Sequence, residues 1–384
     1  MDLYRLSLEH PSGTTPIVAG VGALGESADD LRAWTGGRTL FVVSTPRVLA
    51  LHGAALDGVR SAAARSVVLE VPDGESAKSL DTAERLWREM LAAGGKRDSR
   101  VIAFGGGACG DLAGFVAGCF LRGVEIVQVP TTLLGQVDAA IGGKTAVDLP
   151  GAKNSVGLFH HPARVVADTG LLATLPADEL RSGLVEVVKM AFLLQPELLT
   201  RVEDDLDRLL AGDPEALGPV VAEAAAAKIS VVEADPTERG ARRLLNFGHT
   251  LGHAIESVLG YRDLRHGEAV AYGMLFALRL GRARGLPAAD AERLRSLLDG
   301  FGLPALPVPS GRPERPGRRE RWIDALLEAA ARDKKAREAG PTWVLPVALG
   351  DGRTFTDVSE TELRRELDGF LAAPWEGFRG RPAP

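Results

Sequence analysis

Four short runs within the first 130 residues carry apolar side chains with almost no alternation: 39–44 (Thr-Leu-Phe-Val-Val-Ser), 66–71 (Ser-Val-Val-Leu-Glu-Val), 101–104 (Val-Ile-Ala-Phe) and 125–129 (Glu-Ile-Val-Gln-Val). A strand with one wet face alternates, so runs like these belong to a sheet covered on both faces, as parallel sheets are. Helical patterns over about 46–64, 78–94 and 110–121 separate them. Strands alternating with helices predict a parallel α/β sheet. A further strand, 164–168 (Arg-Val-Val-Ala-Asp), leads into Leu-Leu-Ala-Thr-Leu-Pro, where a domain boundary is expected near residue 175. From there to about 300 the pattern is helical. Residues 303–321, rich in Pro, Gly and Arg, read as a solvated surface loop, followed by a helix (322–337) and an apolar strand from Trp343. The expected organisation is an α/β domain (1–175), a helical domain (176–372) and a flexible tail (373–384).

Ligands of open α/β sheets bind at the carboxyl ends of the strands, and this chain places its glycines there. Asp73-Gly74-Glu75-Ser-Ala-Lys78 follows the second strand, and Gly105-Gly-Gly107-Ala108-Cys109-Gly110-Asp111 follows the third and leads into a helix. Glycines let backbone approach a ligand, and a helix N-terminus offers unpaired N–H groups to phosphate. The spacing is not G-x-G-x-x-G with a ribose-binding acid, so a variant nucleotide domain is expected. Gly142-Gly-Lys144-Thr145 resembles the end of a P-loop, but the first glycine of that motif would fall on Asp138, which excludes it. Lys144 and the 151–154 turn, with Lys153 and Asn154, are expected on loops, as cations and amides suited to an anion.

The second domain carries a different signal. With 242–257 on one helix, Arg242, Asn246, His249, His253 and Glu256 share a narrow face, while Leu244, Leu245, Leu251 and Ile255 take the others. A solvated face would show Lys, Glu and Gln. Here two histidines stand at i, i+4, and His266 opens the next apolar run. Such a set wants an acidic partner. Glu186 supplies one: with Lys189 at i+3, it sits in a helix that is apolar almost all round, where an unpaired charge is costly. Glu186, His249 and His266 make a three-ligand metal set with an open position, suited to zinc or cobalt.

The 384 residues carry a net charge of −6, so nothing points to a nucleic-acid partner. Two cysteines build no disulfide framework and fit a reducing, cytoplasmic setting. Neither a signal peptide nor a membrane span is expected.

Taken together, these motifs identify a family. The chain resembles 3-dehydroquinate synthases, of the sugar-phosphate cyclase superfamily, over about 38–350. The resemblance is densest in Gly105–Asp111, Arg122-Gly, Pro130-Thr-Thr-Leu-Leu, Gln136-Val-Asp138, Gly142-Gly-Lys-Thr, Lys153-Asn154, Ser182-Gly-Leu-Val-Glu-Val-Val-Lys189, Leu245-Asn-Phe-Gly-His-Thr-Leu-Gly-His253 and His266-Gly-Glu. It implies an N-terminal parallel-sheet nucleotide-binding domain, a C-terminal all-helical metal-binding domain and an active site in the cleft between them. A seven-carbon sugar-acid phosphate (DAHP) would be oxidised at C5 by NAD, lose phosphate, be reduced again and close to a carbocycle. The resemblance assigns Glu186, His249 and His266 to the metal and His253 to proton transfer at the oxidised hydroxyl. It assigns Lys189, Lys228, Arg242 and Asn246 to substrate, with Arg242 on the carboxylate. Arg122, Asp138, Lys144, Lys153, Asn154 and a lysine of Asp333-Lys-Lys, taken as Lys335, fall around phosphate, substrate and cofactor. The NAD site takes in Asp73, Gly74, Glu75, Lys78, Gly107, Ala108, Cys109, Gly110, Asp111, Thr131, Thr132, Leu171, Leu172, Ala173 and Thr174, with Lys144 and Lys153. Ser44-Thr45 stand where many members carry an acid for the adenosine ribose. A homodimer is implied, with Arg122 reaching the neighbour's phosphate site.

Three other readings remain. A sister cyclase would act on another sugar phosphate or on an amino analogue of DAHP, but departures around Gly142-Gly-Lys-Thr, Arg242 or Asn246 are expected for inosose and valiolone types, and this chain keeps all of them. A metal-dependent polyol dehydrogenase would release NADH and would not need cations for phosphate. A non-catalytic binding protein would be expected to have lost a metal ligand or His253.

Overall fold

The structure is a computed structural model and describes residues 2–150, 152–260, 263–306, 317–332 and 342–372. Lys335, Gly151, most of the 303–321 loop and the tail from 373 lie outside the described residues.

Two compact units emerge, and they are not contiguous in sequence: Met1–Gly183 with Asp207–Pro236, and Leu184–Leu206 with Thr237–Pro384. The first contains a seven-stranded sheet in the order β1-β2-β9-β6-β5-β3-β4. Its strands are β1 (Tyr4–His10), β2 (Gly13–Gly20), β3 (Thr39–Ser44), β4 (Arg65–Glu70), β5 (Arg100–Gly105), β6 (Glu125–Pro130) and β9 (Arg164–Asp168). All pair parallel except β1, which is antiparallel to β2. The continuous apolar runs are buried on both faces, as expected. Phe41 and Val43 pack with Leu86, Met90, Leu112 and Val116 on one side. Leu40 and Val42 pack with Leu31, Leu56 and Val59 on the other.

Sequence and structure part company in three places. The first concerns 207–236. The helix Pro214–Ala234 was expected with the helical domain, but its Ala225, Ile229 and Val232 pack with Leu8, Ile17 and Val165 of the sheet unit. The β1–β2 hairpin, which the sequence did not announce, supplies the apolar face that holds it. The second concerns Lys144, Lys153 and Asn154. They lie not on loops but in an antiparallel hairpin of β7 (Lys144–Leu149) and β8 (Ala152–Phe159). The third concerns the second unit: the strand expected from Trp343, β10 (Trp343–Ala348), is there, and it pairs with an unexpected β11 (Asp351–Phe355) in a hairpin, so the unit is not all helical. No described helix is long and apolar enough to cross a membrane.

Candidate active site and metal centre

In the sheet unit, the order β4-β3-β5 means the chain reverses direction across the sheet after β4, so the switch point lies between β3 and β5. Ligands of doubly wound sheets bind there, beyond the carboxyl ends. β5 ends at Gly105, and the helix Gly107–Cys119 starts at once, with Gly106 as N-cap and no side chain capping it. Its first N–H groups are therefore open to an anion. A Cβ on Gly106 would fall 3.0 Å from Thr132 Cγ2, so a larger residue there would have to push that side chain aside. Thr131 N donates to Gly105 O at 2.9 Å, and Thr132 Oγ1 accepts from Gly135 N at 3.1 Å. The Leu171–Thr174 stretch follows β9 at the same edge. Leu171 and Leu172 are buried and Ala173 and Thr174 exposed, with Thr174 Oγ1 2.8 Å from His52 Nε2.

Two residues there offer less than their positions suggest. Cys109 turns its thiol inward, 3.5 Å from Val43 O, and burial pushes its pKa up to about 12, so only its backbone can serve a ligand. Ser44 donates to Phe104 O at 2.6 Å, and Thr45 caps the following helix through Val48 N. Both hydroxyls stand where a ribose-binding acid is usual and already have structural partners.

Lys78, 3% exposed, donates to Asp111 Oδ2 at 2.8 Å and to Asn154 Oδ1, with Glu75 at 3.5 Å. Burial lowers its pKa, but Asp111 and Glu75 outweigh that and raise it, so it stays charged. Asn154 N in turn donates to Asp148 Oδ1 at 2.6 Å, and Asp148 N donates to Lys78 O at 2.8 Å. Four residues from the cofactor and substrate groups thus meet in one network. A second junction joins Asp138 and Lys228, which the sequence separates widely. Asp138 lies in the wide turn Gly135–Ala139, and both its carbonyl and its Oδ1 accept from the buried Lys228. Arg122 is exposed, in the left-handed region at φ 72° beside Leu121 at φ 50°.

In the second unit, the single helix expected over 242–257 is broken. Ala241–Asn246 is a 3₁₀ turn, and the α-helix begins only at His249. Gly248, at φ 78°, makes the break; a Cβ there would fall 2.7 Å from Val270 O. Arg242 and Asn246 therefore do not share a helix face with the histidines. Arg242 is 2% exposed, and Asn246 Nδ2 donates to Glu238 Oε1 at 2.9 Å.

The histidine pair survives the break, because both members belong to His249–Val258. His266 is the first residue of the helix His266–Arg282. Glu186, fully buried, puts Oε1 3.5 Å from His249 Nε2 and 3.5 Å from His266 Nε2, while Oε2 pairs with Lys189. The far ring nitrogens are engaged as well. His249 Nδ1 is 3.1 Å from Phe247 O, and His266 Nδ1 is 3.2 Å from Glu256 Oε2. Those acceptors require an N–H on each Nδ1, which fixes the tautomer and leaves a lone pair on each Nε2. Two lone pairs then face one carboxylate oxygen that is buried without a hydrogen-bond partner. A metal ion would satisfy all three at once, so the residues fit one. The three histidines lie close enough, with ring nitrogens within 4.8 Å of one another, that His253 borders the same point.

The electrostatics agree. Burial alone would raise Glu186, but Lys189 and the two histidines hold it well below the usual carboxylate range. Burial, reinforced by Lys189, lowers His249 to about 3, so it is a neutral ligand. Burial also lowers His266, but Glu186 and Glu256 reverse this and raise it to about 10. Glu256 lay on the polar face read from the sequence but had no role assigned to it. Its place three residues after His253 was the available signal.

Comparison with known proteins places the chain in a family. Residues 68–182 match the model of the 3-dehydroquinate synthase N-terminal domain, and 183–336 that of the C-terminal domain. The chain is 42% identical to a 3-dehydroquinate synthase of Xylella fastidiosa (strain 9a5c) over 368 residues, 93% of this chain and 90% of that one. Among solved structures it resembles 2-epi-5-epi-valiolone synthase of Streptomyces hygroscopicus subsp. jinggangensis 5008, which has NAD+ and Zn2+ bound (TM-score 0.82, 29% identity, covering 94% of this chain and 97% of that one). It also resembles a 2-deoxy-scyllo-inosose synthase complexed with carbaglucose-6-phosphate, NAD+ and Co2+ (TM-score 0.83, 25% identity, covering 95% and 99%). With the two family models matched in succession over residues 68–336 and a relative this similar along nearly its whole length, the chain belongs to the 3-dehydroquinate synthase family.

Proposed function

We propose that this chain is a 3-dehydroquinate synthase, a phosphate-eliminating cyclase that converts DAHP to 3-dehydroquinate in the shikimate pathway with NAD and zinc or cobalt. The observation that carries the reading is Glu186 Oε1 facing the Nε2 atoms of His249 and His266 at 3.5 Å each. Glu186, His249 and His266 would hold the ion. When bound, the ion supplies Lewis acidity at the hydroxyl to be oxidised, and NAD takes a hydride and later returns it.

The chain's own residues do the rest. His253, one turn beyond His249, takes the proton of that hydroxyl. Arg242 holds the substrate carboxylate in a planar fork, and its burial excludes water from that contact. Lys189 and Lys228 hold substrate oxygens, and Asp138 keeps Lys228 in place. Oxidation at C5 makes the neighbouring C–H acidic, and the C–O bond to phosphate breaks as that proton leaves. Asn246 meets the substrate as well, and Lys144, Lys153 and Asn154 offer cations and an amide to the departing dianion. Gly107–Asp111, Thr131, Thr132 and Leu171–Thr174 receive NAD, with the Asp73–Lys78 loop beside them. The enzyme works as a homodimer in which Arg122 reaches the neighbour's phosphate site. Its exposure and its paired left-handed backbone support that, since strain of this kind gathers at functional positions.

The test is incubation with DAHP and catalytic NAD, before and after chelation. Phosphate release without net NADH, abolished by chelation and restored by Zn2+ or Co2+, is the expected result. Accumulating NADH would instead point to a dehydrogenase, and full activity in a metal-free sample would overturn the metal assignment. For Arg122, mixed dimers of an Arg122→Ala chain and a His253→Ala chain should regain activity, because one of the two sites is then intact.

A further inference from the structure

The second unit also contains a cavity built from cations and used by none of the residues above. It has a volume of about 490 Å³ and is lined by Arg239, Gly240, Arg243, Leu244, Arg353 and Thr354, among others. Three lining side chains are guanidinium groups and none is a carboxylate, in a chain whose net charge is −6. The volume falls within the ~300–1,000 Å³ of small-molecule sites. Arg353 already has a carboxylate partner in Asp351 at 2.8 Å, so the case for a ligand rests on the donors left open and not on net charge.

Arg243 is the residue that points to a ligand. Its Nε is buried and has no hydrogen-bond partner, an arrangement that a charged donor rarely tolerates. Arg353, on β11, holds Asp351 through Nε and Nη2, which orients the fork and leaves Nη1 without a partner among the described residues. The cavity is not an extension of the substrate-carboxylate position. Successive residues of a 3₁₀ turn point about 120° apart, so Arg243 and the buried Arg242 address different places.

We propose that this cavity binds a phosphate-bearing small molecule, at a site sharing no lining residue with the metal-centred one. A phosphate monoester presents three terminal oxygens and can accept from several forks at once, whereas a carboxylate is matched by one. Three guanidinium groups and the Thr354 hydroxyl suit the first.

The experiment is equilibrium dialysis of the metal- and NAD-loaded enzyme against labelled inorganic phosphate. Two sites per chain are expected, one here and one among the residues proposed to meet the substrate phosphate. Arg243→Gln should weaken one class of site at least tenfold with turnover on DAHP unchanged. Arg353→Gln, on a surface strand outside the turn, should do the same without any demand on the fold of 241–246. Lys144→Ala should weaken the other class alone, so failure here and failure of the proposed reaction are distinguishable. Wild-type binding by both arginine variants would overturn the proposal. Equal competition by chloride, or a preference for an oligonucleotide over phosphate, would do so too.

Discussion

Glu256→Gln tests whether the metal centre depends on how His266 is held. Glu256 is 5% exposed and lies 3.2 Å from His266 Nδ1. Glutamine keeps the size and one acceptor oxygen but removes the charge. A hydrogen bond to a charged group contributes ~1.5–3 kcal/mol and a neutral one ~0.5–1.5. The difference, about 1–1.5 kcal/mol, is roughly a tenfold loss of affinity. It lies at the low end of the ~10–100-fold found when such outer partners of a metal-binding histidine are changed. Glu256→Leu would also leave a buried N–H unpaired, adding ~1–3 kcal/mol, so a loss of roughly 10²–10³ is expected. The assay is zinc competition with a chromogenic chelator at pH 8, on variants whose circular dichroism matches the parent. The readout is affinity and needs no substrate. The expected order is parent, glutamine, leucine. If glutamine binds zinc within twofold of the parent and leucine does no worse, then Glu256 does not orient His266 and the tautomer argument for the ligand set fails with it.

Three other outcomes are expected. His253→Ala should keep its metal and lose ~10²–10⁴ in turnover; metal content falling in step with activity would make His253 a ligand instead. Lys78→Met should lower stability to urea by ~3 kcal/mol, because it strips the buried partner from Asp111, and should weaken NAD binding; a loss under ~1 kcal/mol would show the network to be incidental. Iodoacetamide at pH 8 should modify the exposed Cys119 in the folded chain and Cys109 only after unfolding, since burial holds the Cys109 thiol near pKa 12; equal labelling of both would contradict that burial.

The strands that carry the nucleotide loops were legible because burial on both faces leaves a simple trace. The apolar runs at 39–44 and 164–168 became β3 and β9 with the same bounds. The hairpins were not. Exposure alternates along β1 and β8, and their polar residues carry no signal that separates an edge ribbon from a loop. Glu186 could be picked out from 184–191 because a carboxylate among Leu, Val, Met and Ala has no reason to be there except a partner. The break at Gly248 could not. One glycine in an apolar periodic stretch costs a helix only ~1 kcal/mol, so periodicity runs straight through it. What requires the turn is the close approach of the His266–Arg282 helix, and that is a fact about packing.

Lys228 shows the same limit where it matters most for chemistry. Its helix is apolar almost all round, with thirteen buried residues including the lysine, and by composition it belongs with the helical half of the chain. The sequence therefore places it in the wrong unit. Its ammonium is fixed by Asp138, 90 positions earlier, in a wide turn that follows β6, and the helix itself is held by Ala225, Ile229 and Val232 against the sheet. An isolated lysine at that depth would lose its charge to burial. Here it is placed against a carboxylate and a carbonyl and is nearly closed to water. The position of the Lys228 ammonium is thus set by a residue on another element, a pairing that neither local pattern announces.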